Sequence, residues 1–115
     1  MTTFLIVDDH ATFRQQARAL LESEGLTVIG EADDGTAALR ATEELRPDVV
    51  LLDIGLPDID GFTVAERLAG GSQRTRIILI SSREASTYGP RLAASPALGF
   101  VQKDDLSAAA IALLL

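Results

Sequence analysis

Three runs in this chain have no wet face. "FLIV" at 4–7, "DVVLLD" at 48–53 and "RIILI" at 76–80 are apolar at successive positions, with β-branched residues throughout. A strand that alternates sides every residue can be apolar at each of them only if both faces are covered, which is the condition of a parallel sheet lying between layers of helices. Two further strand-like runs, "LTVIGEA" at 26–32 and "GFVQK" at 99–103, bring the number to five. Helical patterns fill the gaps. Residues 11–24 carry Phe13, Ala17, Leu20 and Leu21 at helical spacing, 34–45 carries Ala37, Ala38, Leu39 and Leu45 behind Asp34 as a cap, 61–71 closes in a glycine pair, and a last helical stretch runs from 104 to the end. The fourth crossover, "SSREASTYGPRLAASPALG", contains Gly89, Pro90 and Pro96, so its helix is expected to start near Pro90 and end by Ser95. Right-handed crossovers between five parallel strands predict a doubly wound α/β sheet, ordered 2-1-3-4-5, with a short or irregular fourth helix.

At 115 residues the chain suffices for one domain, expected to span 1–115. Cysteine is absent, which removes disulfides and thiolate metal sites and is compatible with a reducing compartment. The start, "MTTFLIVDDH", lacks a basic region and its apolar run is cut by Asp8, so no signal peptide is read, and no stretch reaches a membrane-spanning length. The net charge of −7 is the wrong sign for tracking phosphates, so direct nucleic-acid binding by this segment is not expected.

In sheets of this kind ligands bind beyond the carboxyl ends of the strands, so the residue after each run matters most. The first run ends in Asp8 and Asp9, the third in Asp53, the fourth in Ser81 and Ser82, and the fifth in Lys103. One edge thus collects three carboxylates, a hydroxyl and an ammonium. Carboxylates crowded together repel and lose hydration unless a cation neutralises them, and oxygen donors without thiolate suit a hard ion, Mg²⁺ before a soft metal. His10 follows the acids at a helix start, where capping or facing solvent is its expected part. Each residue alone has an ordinary structural use: a strand-end acid caps the next helix, Ser81 bonds its own backbone, Lys103 snorkels. Together they offer the parts of phosphoryl transfer, namely a carboxylate nucleophile, a metal site, and a lysine and hydroxyl for the transferred oxygens.

These residues resemble those of a known family, the receiver domains of two-component response regulators. The likeness runs through "LIVDDH", "DVVLLDIGLPDIDGF", "ILISS" and "GFVQK", and "DDH" is similar to the subfamily often joined to a helix-turn-helix output domain. The resemblance implies a flavodoxin-like fold and a cytoplasmic phosphoprotein that takes a phosphoryl group from a sensor histidine kinase, catalyses its own phosphorylation and dephosphorylation, and switches conformation. It implies Asp53 as phosphoacceptor; Asp8, Asp9, Asp53 and the backbone carbonyl of Gly55 as holders of Mg²⁺; Ser81 and Lys103 as partners of the phosphoryl group; and Ser81 with Phe100 as switch residues. It also allows a homodimer through the face of the fourth and fifth helices. Two features depart from the family: Asp104 follows Lys103 where a proline is usual, so a trans peptide is expected there, and the fourth helix is interrupted. Two other readings share the fold. A pseudo-receiver would act as an interaction module without phosphorylation, and a flavodoxin-like cofactor binder would need amide donors where Asp8 and Asp9 repel a phosphate.

Overall fold

The computed structural model describes residues 1–71 and 74–115. Five strands, β1 (Thr3–Val7), β2 (Thr27–Ala32), β3 (Val49–Asp53), β4 (Arg76–Ser81) and β5 (Gly99–Gln102), alternate with helices α1 (Ala11–Ser23), α2 (Gly35–Leu45), α3 (Gly61–Ala69), α4 (Pro90–Ala94) and α5 (Ala108–Ala112). The strands form one parallel sheet ordered β2-β1-β3-β4-β5, as the alternation predicts.

The doubly apolar strands supply both cores. Leu5, Val7, Val50, Leu52, Ile77 and Leu79 pack on one face with Ala38 of α2 and Phe62, Val64 and Ala65 of α3. Their neighbours Phe4, Ile6, Val49, Leu51, Ile78 and Ile80 pack on the other with Ala17 and Leu21 of α1 and Ile111 of α5. All five residues of β3 are buried, which fixes the strand that carries Asp53 as the most enclosed of the five.

Helix starts follow the caps. The Asp34 carboxylate accepts the Ala37 N–H at 2.7 Å and Asp60 that of Thr63 at 3.0 Å, each satisfying one of the donors a helix leaves unpaired. α5 begins later than its pattern suggests. Residues 103–105 form a 3₁₀ turn, and Ser107, not Asp104 or Asp105, caps the helix through the Ala110 N–H at 3.0 Å. The fourth crossover behaves as its prolines dictate: a 3₁₀ turn at Ala85–Thr87, Gly89 at φ 56°, then five helical residues starting at Pro90. No cis peptide occurs among the described residues, the Lys103–Asp104 bond included, and no helix among them is long and apolar enough to cross a membrane.

Candidate functional site

The strand order sets β1 and β4 on either side of β3, so the residues ending these strands converge on Asp53. Gly61 makes this close: its N–H donates to the Ile54 carbonyl at 2.8 Å, and a Cβ there would meet the Asp53 carbonyl and lie 2.7 Å from Ile54 Cα. Only glycine lets α3 start so near the end of β3.

Asp8 is fully buried. One of its oxygens accepts the His10 N–H at 2.8 Å; the other, Oδ2, has no hydrogen-bond partner and is met by the Lys103 ammonium. Lys103 Nζ also lies 3.7 Å from Asp53 Oδ2 and 4.5 Å over the Phe13 ring. The ammonium therefore spans the acids of two adjacent strands, its charge shared between buried carboxylates and an aromatic face. Asp9 is exposed at the rim, 3.0 Å from His10 Nδ1. His10 stands at the N-cap position of α1 without a side-chain capping bond. Its ring instead leans on both acids, close enough that Asp8, Asp9 and His10 each offer a ligand atom within 4.8 Å of the others. Arg14 ties the turn down from α1, donating to the Asp8 carbonyl at 2.6 Å.

Asp53 is 5 % exposed, and one of its oxygens accepts the Gly55 N–H at 3.3 Å. Burial pushes its carboxyl above the ordinary value; the Lys103 ammonium and the Gly55 N–H pull it down, while Asp8 and Asp9 push further up. Removal from water disfavours the charged form of a carboxyl, and a cation beside it favours that form. The carboxylates suit a hard divalent ion: Asp8 and Asp9, with His10, already bring ligand atoms within 4.8 Å of one another, and the buried Asp8 Oδ2 has an ion-pair partner in Lys103 but no hydrogen bond.

Ser81, 4 % exposed at the end of β4, is on the same edge but turned to other partners. Its Oγ lies 2.6 Å from the Tyr88 hydroxyl and accepts the Arg83 N–H at 3.0 Å. Tyr88 stands between Phe62, at 5.7 Å between ring centroids, and the half-buried Phe100 of β5, at 6.1 Å. Sequence reasoning singled out neither Tyr88 nor Asp58. Asp58, in the loop after β3, accepts the N–H groups of Gly35 at 2.7 Å and Thr36 at 2.9 Å and the Thr36 hydroxyl at 2.8 Å, clamping that loop to the start of α2. Its carboxyl is held far below the usual range: partial desolvation opposes, but these bonds and the Ile59 N–H outweigh it.

Residues 4–112 match the family described as the response regulator receiver domain. The chain is 35% identical over 104 residues to the response regulator GacA of Pseudomonas aeruginosa, covering 90% of this chain and 49% of that protein. It also resembles the signal receiver domain of NarL from Mycobacterium tuberculosis, with a TM-score of 0.85, 35% identity and coverage of 98% and 95% of the two chains. The chemotaxis response regulator CheY4 of Vibrio cholerae superposes with a TM-score of 0.86 at 26% identity, covering 100% of this chain and 99% of that one. The chain spans about half the length of the curated relatives it matches. Fold, strand-end chemistry and relatives agree, and the chain belongs to the receiver domains of two-component response regulators.

Proposed function

We propose that this receiver, read as one unit over 1–115, is phosphorylated on Asp53 and switches conformation when it is. The observation that carries the reading is the buried Asp53 carboxylate bridged by the Lys103 ammonium to the buried Asp8. A cation already sits where a transferred phosphoryl group would need one.

In the proposed reaction an Asp53 oxygen attacks phosphorus on a phosphohistidine of a sensor histidine kinase, or on a small acyl phosphate. The new bond joins that oxygen to phosphorus; the bond to the donor breaks, its electrons leaving with the imidazole or the carboxylate. Asp8, Asp9, Asp53 and the Gly55 carbonyl would hold Mg²⁺, which when bound supplies positive charge to the phosphoryl oxygens. Lys103 turns from its two carboxylates to one phosphoryl oxygen, and Ser81 donates its O–H to another. The Gly55 N–H keeps the other Asp53 oxygen aimed. Phe100, against Tyr88, is positioned to register any movement of Ser81. The same groups would admit water for self-dephosphorylation. A sensor histidine kinase is the partner we propose, and a homodimer through the face of α4 and α5 is the assembly, with Leu113, directly after α5, exposed.

Intact-mass analysis tests the reading. With Mg²⁺ and acetyl phosphate the protein should gain one phosphoryl mass, and Asp53→Asn or chelator should abolish the gain. No adduct on the wild-type protein would favour the phosphorylation-independent interaction module.

A further inference from the structure

We propose that Tyr88 is a positioning residue that acts through Ser81: its hydroxyl holds the Ser81 side chain in the unphosphorylated state, and Ser81 must release it to serve a phosphoryl group on Asp53. The inference rests on the phosphorylation reading above and adds a group that competes with it.

The Ser81 hydroxyl has one proton to give and two lone pairs. Among the described residues its hydrogen bonds run to Tyr88, at 2.6 Å, and from the Arg83 N–H, at 3.0 Å. Phosphoryl oxygens only accept, so Ser81 has to turn its O–H toward them. In the proposed resting state Ser81 is the donor: its one proton is committed to the Tyr88 oxygen, and turning it to a phosphoryl oxygen breaks that bond. With Tyr88 as the donor instead, Tyr88 and the Arg83 N–H would fill the two Ser81 lone pairs, the Ser81 O–H would be free, and loss of the Tyr88 hydroxyl would not tighten phosphoryl binding.

The consequence reaches beyond the site because Tyr88 anchors an otherwise exposed crossover. Residues 82–87 are all exposed, and Tyr88, Leu92 and Ala97 are the side chains that tie this segment to the core under α3. α4 is held further by Arg91, which lies 4.2 Å over the Phe62 ring and 3.7 Å from Asp60. Freeing the Tyr88 hydroxyl removes the polar fastening and leaves packing alone, so the exchange at Ser81 loosens or re-seats α4. By reciprocity, whatever Tyr88 contributes to the resting state is subtracted from the affinity for a phosphoryl group.

The sequence provides its own reporter, since Tyr88 is the single tyrosine and there is no tryptophan. The probe is beryllium trifluoride with Mg²⁺, a phosphoryl mimic on an aspartate oxygen, with affinity measured by calorimetry and Tyr88 followed by fluorescence. Tyr88→Phe keeps the ring and its packing and loses only the hydroxyl; it should bind the probe roughly three- to tenfold more tightly, the range for one hydrogen bond. Wild-type tyrosine emission should change on binding. In Ser81→Ala it should already be shifted without the probe and respond little to it. Unchanged or weaker binding by Tyr88→Phe, or wild-type emission that stays constant while calorimetry records binding, overturns the proposal and leaves the phosphorylation reading intact. Absence of binding by wild-type protein, with no phosphoryl adduct from acetyl phosphate, overturns both.

Discussion

Replacing Lys103 by methionine keeps an unbranched, apolar stem and deletes the charge that two buried carboxylates share. The pair with Asp53, 3.7 Å apart, has a Coulomb attraction of about 4.5 kcal/mol at an effective dielectric constant near 20, and the closer pair with Asp8 has more. Desolvation of all three groups offsets part of this in the intact protein. Removing one partner of a buried pair leaves the other charged groups uncompensated and typically costs about 3–5 kcal/mol. For a domain of this size that corresponds to a fall in Tm of about 12–20 °C. Two conditions should shrink the loss. Mg²⁺ held as proposed would restore a cation near Asp8 and Asp53, and mild acid lets Asp53, whose carboxyl already sits above its ordinary value, take up a proton instead. Urea titrations of wild type and Lys103→Met at neutral and mildly acidic pH, in chelator and in Mg²⁺, measure all of this. A loss below about 1 kcal/mol in chelator, the range of an exposed ion pair, would refute the reasoning, as would a loss indifferent to both pH and Mg²⁺.

Three further outcomes follow from the site and its surroundings. Because the folded-state pKa of Asp53 is raised, its contribution to stability is greatest below the ordinary carboxylate pKa and is lost as pH rises through the raised value. Asp53→Asn in chelator should thus gain stability over wild type toward neutral pH, with the advantage vanishing in acid; an advantage that grows in acid would reverse the sign. Asp58 is the opposite case, its pKa lowered: its contribution is present above the ordinary value and lost only as pH falls below it. Asp58→Ala should lower Tm at neutral pH and converge with wild type in strong acid, while equal melting at neutral pH would show that the clamp on α2 is dispensable. Hydrogen exchange should be fastest at residues 83–97, whose backbone bonds are few and exposed, and protection there equal to that of Val49–Asp53 would contradict this.

Much of the fold was written in local pattern. Leu51 and Leu52 face opposite cores, which is why "DVVLL" could be read as covered on both sides before any tertiary contact was known. Pro90 marked the start of α4 for a backbone reason that needs no partner. The site was legible because strand ends share an edge: Asp8, Asp53, Ser81 and Lys103 each follow or end a strand, and topology does the rest. What escaped depends on contacts between distant or irregular segments. Asp58 finds the N–H groups of α2 more than twenty residues away in sequence, and no spacing rule connects a loop to another helix's cap. Tyr88 reaches Ser81 only because a 3₁₀ turn at Ala85–Thr87 brings it back over the strand end. The start of α5 reads too early, at 104, because a 3₁₀ turn over Lys103–Asp105 comes before the helix that Ser107 caps, and local pattern does not separate the two.

The central claim is that one carboxylate among several at this edge is the nucleophile, and it is tested most directly by locating the label. After incubation with acetyl phosphate and Mg²⁺, the acyl phosphate is trapped by borohydride reduction, which turns the modified aspartate into homoserine, and the protein is mapped by peptide mass spectrometry. The account predicts homoserine at position 53 alone, greatly reduced in chelator and slowed in Asp9→Asn. Label at Asp8, Asp9 or any other residue, or full labelling without a divalent ion, would contradict it.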